Sequence, residues 1–144
     1  MKIDPEHWLY KHTPREWIRA ALSELERAKG ALDARDRKAA LAVCRRAAGM
    51  AINAMLALEV RSIDVYGRSY MDHIVALSND GEAPRVVRES AKLLAEMPMP
   101  GAEVVLLRTA NTDSKMLDAA RDVMAHAYAM VIKHEPEVPE ASQG

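Results

Sequence analysis

Apolar residues recur at steps of three and four along this chain, the spacing of helices that bury one face. The pattern is widest in Ala34 to Glu59, A-R-D-R-K-A-A-L-A-V-C-R-R-A-A-G-M-A-I-N-A-M-L-A-L-E. There Val43, Ala47, Met50, Ala54 and Leu58 form a stripe that Ala40, Cys44, Ala48, Ala51 and Met55 broaden past half the circumference. Nine alanines, one glycine and no proline make this stretch a low-cost helix. A face so wide needs several neighbours, so the stretch is expected to be the central helix. Arg37, Lys38, Arg45, Arg46 and Asn53 are left to its polar side.

The other elements follow from caps and breakers. Thr13, Pro14 and Glu16 form a capping box that starts a first helix, whose stripe is Trp17, Ile18, Ala21, Leu22, Leu25, Ala28 and Leu32. Gly30 and Asp33 are expected to loosen or break the chain before the central helix, giving an antiparallel hairpin with it. That helix is expected to end between Arg61 and Tyr66, with Gly67 as terminator. Ser69 and Asp72 open a third helix to about Leu77, and Pro84 a fourth that carries Val86, Val87, Ala91, Leu94 and Met97. M-P-M-P-G stops it. Glu103 to Ala110 is the one strand-like stretch; lacking a ladder partner, it is expected to be a buried connector or helical turn. N-T-D-S then caps a fifth helix with the stripe Leu117, Ala120, Val123, Met124, Ala127, Tyr128 and Val131. The expected architecture is all-α, an up-and-down bundle of about five helices in one domain over residues 1–134. The polar, proline-broken segment 135–144 is expected to be a disordered acidic tail.

Composition narrows the function classes. With 144 residues and 49% hydrophobic content the chain suits one globular domain, and a net charge of -1 means that any pull toward nucleic acid must come from a local patch. Cys44 is the one cysteine, so no internal disulfide is possible, and its place on the apolar stripe predicts a buried, inert thiol. His7 and His12 lie five apart beside Trp8, Leu9 and Tyr10 without a third ligand type, a packed lead-in or stacking surface rather than a metal site. No metal or other cofactor is expected. The N-terminus lacks the apolar core of a secretory signal and no membrane partner is expected, which points to a cytoplasmic protein.

The order of helices, with A-V-C-R-R-A-A-G-M-A-I-N-A-M-L in the second and Y-M-D-H-I-V-A-L in the third, resembles the HEPN family, named for nucleotide binding in higher eukaryotes and prokaryotes. The likeness spans about residues 14–133 in family patterns of the type A-x-x-Q-Q-A-x-E-K-x-x-K-A-L-L and H-x-L-x-x-L. This chain has Arg45, Arg46, Gly49, Met50 and Asn53 where that family often carries glutamines, a Glu-Lys pair and a second lysine. R-D-V-M-A-H-A-Y in the last helix is similar to the R-x4-6-H motif of HEPN ribonucleases, with Arg121, His126 and Tyr128 on the matching positions and Asp122 where asparagine is frequent.

The chemistry is coherent. A histidine near neutrality can move the proton of a ribose 2'-hydroxyl, an arginine can hold the phosphate, and Tyr128 can stack on a base or bond the phosphate. Arg68 and His73 form a second pair at the same spacing. Residues five apart point about 140° apart on a straight helix, so one chain brings such a pair together only where its helix is irregular. The resemblance implies the other solution, a homodimer with facing motifs. Asp122 and His126 do share a face and are expected to pair. Arg45 and Arg46, with Arg35, Arg37 and Lys38, are candidates for holding phosphate. Three functions therefore stand open: a nucleotide- or RNA-binding or partner module, which the resemblance associates with a nucleotidyltransferase or antitoxin-like protein; a metal-independent ribonuclease of toxin type; and a helical scaffold.

Overall fold

Capping chemistry sets most helix boundaries in the computed structural model, which describes residues 8–98 and 109–135. Helix α1 spans Pro14–Asp33, α2 Arg37–Ala57, α3 Ile63–Tyr66, α4 Tyr70–Ser78, α5 Arg85–Glu96 and α6 Thr109–His134, preceded by a 3-10 turn at Trp8–Lys11. The chain is an all-α helical bundle. Glu16 N donates to the Thr13 hydroxyl at 3.1 Å and Thr13 N to the Glu16 carboxylate at 2.8 Å, the capping box expected for α1. Ser69 and Asp72 do the same at the start of α4, at 3.0 and 3.4 Å.

Three boundaries differ from the expectation. Helix α1 continues through Gly30 but ends at Asp33, the second expected breaker, and the turn falls on residues 34–36, where Arg35 takes φ 62° and the Asp36 carboxylate accepts from Ala39 N to start α2. Helix α2 stops at Ala57 rather than beyond Arg61, because Glu59 at φ 60° folds the chain back so that Val60 N bonds the Met55 carbonyl at 3.2 Å. Gly67, at φ 75°, ends the single turn of α3 instead. The N-T-D-S segment does not cap α6 but lies inside it, since that helix begins at Thr109. Most of the strand-like stretch, residues 103–108, and the tail from residue 136 lie outside the described residues.

Helix α2 is the hub, packed on α1, α4, α5 and α6. Leu41, Cys44, Ala48, Ile52 and Leu56 are fully buried in one core cluster with Ile74, Leu77, Leu94, Met116 and Val123. A second cluster joins Trp17, Ile18 and Ala21 of α1 to Ala51, Ala54 and Met55 of α2 and to Ala127 and Val131 of α6. Each large aliphatic side chain so buried stabilises the fold by about 1.5–3 kcal/mol. Arg37 bonds Asp113 at 3.1 Å near the starts of α2 and α6, and the second cluster joins their far ends, so these two helices run in the same direction. Leu9 is buried and its carbonyl accepts from the Trp17 indole at 2.8 Å, which makes the turn at Trp8–Lys11 a packed lead-in; His7 lies outside the described residues.

Asn53 departs from the expected polar side. It is fully buried, and neither amide atom has a hydrogen-bond partner. By length and mean hydropathy, 1.2 over its best window, α2 is long and apolar enough to cross a membrane, but 67% of that window is buried inside the bundle, as a core helix is.

Candidate functional site

Four side chains of α1, Arg15, Ile18, Arg19 and Leu22, repeat at helical spacing and face Arg121, Met124, Ala125 and Tyr128, which repeat in the same way on α6. Between them lies a groove of about 630 Å³. Its floor is apolar, and among the described residues its lining includes three guanidinium groups, one phenol ring and no carboxylate. Tyr128 is 44% exposed and Leu22 48%, so a ring and an aliphatic surface are open to a ligand. Two of the arginines pair with acids at the edge of the groove: Arg121 with Asp118 at 3.5 Å, and Arg15 with Glu135 at 2.8 Å.

The structure divides the Arg121, His126 and Tyr128 motif. Arg121 and Tyr128, seven residues apart, share the groove face, whereas His126 is absent from the lining. The His126 ring is half-buried, and its Nε2 is enclosed without a hydrogen-bond partner. Burial lowers its pKa and the Arg61 cation lowers it further, against an opposing pull from Asp80. These neighbours lie in the connection between α2 and α3 and in the loop after α4. Asp122 does not hold the imidazole as expected; it accepts a 2.7 Å bond from the Ser90 hydroxyl and ties α5 to α6.

The alternative pair is parted by burial. Arg68 is exposed, while His73 is fully buried, its Nδ1 2.9 Å from the Tyr66 carbonyl. A carbonyl can only accept, so Nδ1 carries the proton and the bare Nε2 points into the core without a partner. Burial lowers the His73 pKa, opposed by the Tyr66 carbonyl and Asp72. This histidine positions α3 against α4. Of the phosphate candidates Arg45 and Arg46, Arg45 donates to the Leu94 and Met97 carbonyls at 2.9 and 2.7 Å, completing the end of α5, and Arg46 is exposed and lies 3.7 Å from Glu24. Cys44 is fully buried, and burial pushes its thiol up to about 11, as an inert core residue requires.

Sequence reasoning missed Arg15 and Arg19. Their signal was present in the step of four from Arg15 to Arg19 and the step of three to Leu22, but only the packing of α1 on α6 gives it meaning. A larger cavity of about 810 Å³ lies against α3 and α4, with Val65, Met71 and Val75 on its wall. Its cation, Arg61, is committed, donating to Asp80 at 2.6 Å and to the Val60 carbonyl at 2.8 Å. Burial alone would raise the Asp80 carboxyl, but bonds from Tyr66 and Arg61 hold it below the usual carboxylate range. That network is a structural joint, and the smaller groove has the more available charge. Among the described residues no group of three or more His, Cys, Asp or Glu could hold a metal ion.

The two buried imidazoles make stability pH-dependent. Both have folded pKa values below the ordinary 6.5, so the unfolded chain binds protons first and stability falls as pH drops below about that value. Each histidine adds up to about 1.4 kcal/mol per pH unit in that window. The melting temperature should fall between pH 7.5 and pH 5.5, and less steeply in His126→Gln. A flat profile across this range would show that neither ring is held neutral.

Comparison with protein-family models, with curated proteins and with solved structures gives no match.

Proposed function

We propose that this chain is a binding module for RNA or nucleotides, and that the α1–α6 groove is its site. The observation that carries the reading is the juxtaposition of Arg15, Arg19 and Arg121 with Tyr128 over an apolar floor, with no carboxylate among the described lining residues. Phosphates need cations, and a base needs a flat apolar surface; ring stacking is worth about 1–3 kcal/mol per base and tolerates any sequence. The local charge is what a chain of net charge -1 requires for such binding. The HEPN resemblance supports the same class of ligand.

The ribonuclease reading has less support. His126 faces away from Arg121 within one chain, so phosphodiester cleavage by this pair requires a second copy, as the resemblance to dimeric ribonucleases implies, together with exposure of the enclosed Nε2. The test uses a fluorescently labelled single-stranded RNA decamer at low salt with chelator present, read by anisotropy and then on a gel. Wild type should bind, with Tyr128→Ala and Arg121→Ala each weakening binding by about 10-fold. Intact RNA with no anisotropy change at about 100 µM protein, the weak end of non-specific affinity, would overturn the reading. Cutting that is lost in His126→Ala and kept in His73→Ala would replace the binding module with an enzyme.

A further inference from the structure

We propose that the Arg15 end of the groove is a phosphate subsite, which the chain's own Glu135 occupies until a ligand's phosphate displaces it. The inference rests on the reading of the groove as a nucleotide or RNA site and adds the place where the phosphate sits.

Arg15 and Glu135 are 120 residues apart in sequence and meet at the start of α1 and just past the end of α6. The Arg15 Nε–H serves both carboxylate oxygens, at 3.0 and 2.8 Å. Glu135 does not reach Arg15 by chance of a loose side chain, for its backbone N still donates to the Val131 carbonyl at 2.8 Å and continues the helical pattern of α6. An anion is therefore held in place at one end of the groove. The Tyr128 phenol interacts with the same guanidinium, so an anion seated there stands beside the exposed ring, the relation of a phosphate to its base.

The contact is built to yield. One N–H shared by two oxygens is weaker than the parallel pair of bonds that a guanidinium fork can give a phosphate. The two side chains are 45% and 27% exposed, and ion pairs so placed are weak and screened by salt. A phosphodiester carries the same single charge as the carboxylate and a terminal phosphate or pyrophosphate more, and either meets Arg19 and Arg121 in the same lining. The balance thus favours exchange of Glu135 for the ligand, and Glu135 sets the threshold affinity.

The experiment uses the full chain with the labelled RNA decamer, and inorganic pyrophosphate as competitor. Glu135→Gln should tighten RNA binding about 2- to 5-fold at low salt, the range of an exposed ion pair, and pyrophosphate should compete better against this variant. Arg15→Ala should weaken binding, and adding Glu135→Gln to it should change nothing further. Glu96→Gln, an exposed acid of α5, controls for net charge and should have no effect. Equal tightening by Glu135→Gln with and without Arg15, or by Glu96→Gln, would reduce the effect to bulk charge and overturn the subsite. If Tyr128→Ala and Arg121→Ala impair binding while Glu135→Gln leaves it within error, the groove stands and the subsite falls. If neither wild type nor Glu135→Gln binds RNA or pyrophosphate, both fall together.

Discussion

Ala48→Glu is expected to destabilise the bundle by about 3–5 kcal/mol, much of the roughly 5–15 kcal/mol that a domain of this kind has. Ala48 is fully buried on the central helix, in the cluster that includes Cys44, Ile52 and Leu94. A carboxylate there loses its water and must either remain an unpaired charge or take up a proton, and its added bulk must displace close-packed neighbours. Helix propensity does not offset this, since glutamate is only slightly poorer than alanine. The melting temperature, followed by circular dichroism, should drop by about 10 °C or more. Ala42→Glu, on the exposed side of the same helix, should leave it within a few degrees. Similar melting of the two variants would mean that α2 does not bury the assigned face.

Gly49→Ala should destabilise the protein by about 1–3 kcal/mol, although the same exchange in an isolated helix stabilises by about 1 kcal/mol. A Cβ built on Gly49 overlaps the Cβ, Cγ and Cδ1 of Tyr70, the first residue of α4. The overlap involves the root of the ring, which cannot swing aside as a flexible chain end would. Helix α4 must therefore move away from α2. Gly30→Ala is the matching control: its Cβ meets nothing within 4 Å, so it should stabilise by about 0.5–1 kcal/mol. Chemical denaturation of both variants reads the sign directly. A stabilised Gly49→Ala protein would place α4 farther from α2 than this structure has it.

These paired substitutions also mark the border between what is local and what is tertiary here. Periodicity and caps alone determined that the chain is helical, where α1 and α4 begin, that α2 is central and that Cys44 is buried, because each depends on residues a few positions apart. Hydrophobic spacing could not determine the ends of α2 and α6. Glu59 closes α2 by adopting a backbone conformation that its residue type does not announce, and N-T-D-S can serve a helix interior as well as a cap. Asn53 reads as a surface residue until α2 is covered around most of its circumference.

The candidate site divides in the same way. Helical geometry placed Arg121 and Tyr128 on one face and set His126 apart from Arg121, and both relations are visible in the spacing of the sequence. Which residues would face Arg121 was decided by the packing of α1 on α6, which brings Arg15, Arg19 and Leu22 across the groove from more than 90 positions away. Burial separated His73 from Arg68, and the carbonyls at the end of α5 claimed Arg45. The physical reason is that a sequence fixes which side chains share a face of one helix, whereas the charge open to a ligand depends on the acids, carbonyls and apolar surfaces that other helices bring against that face.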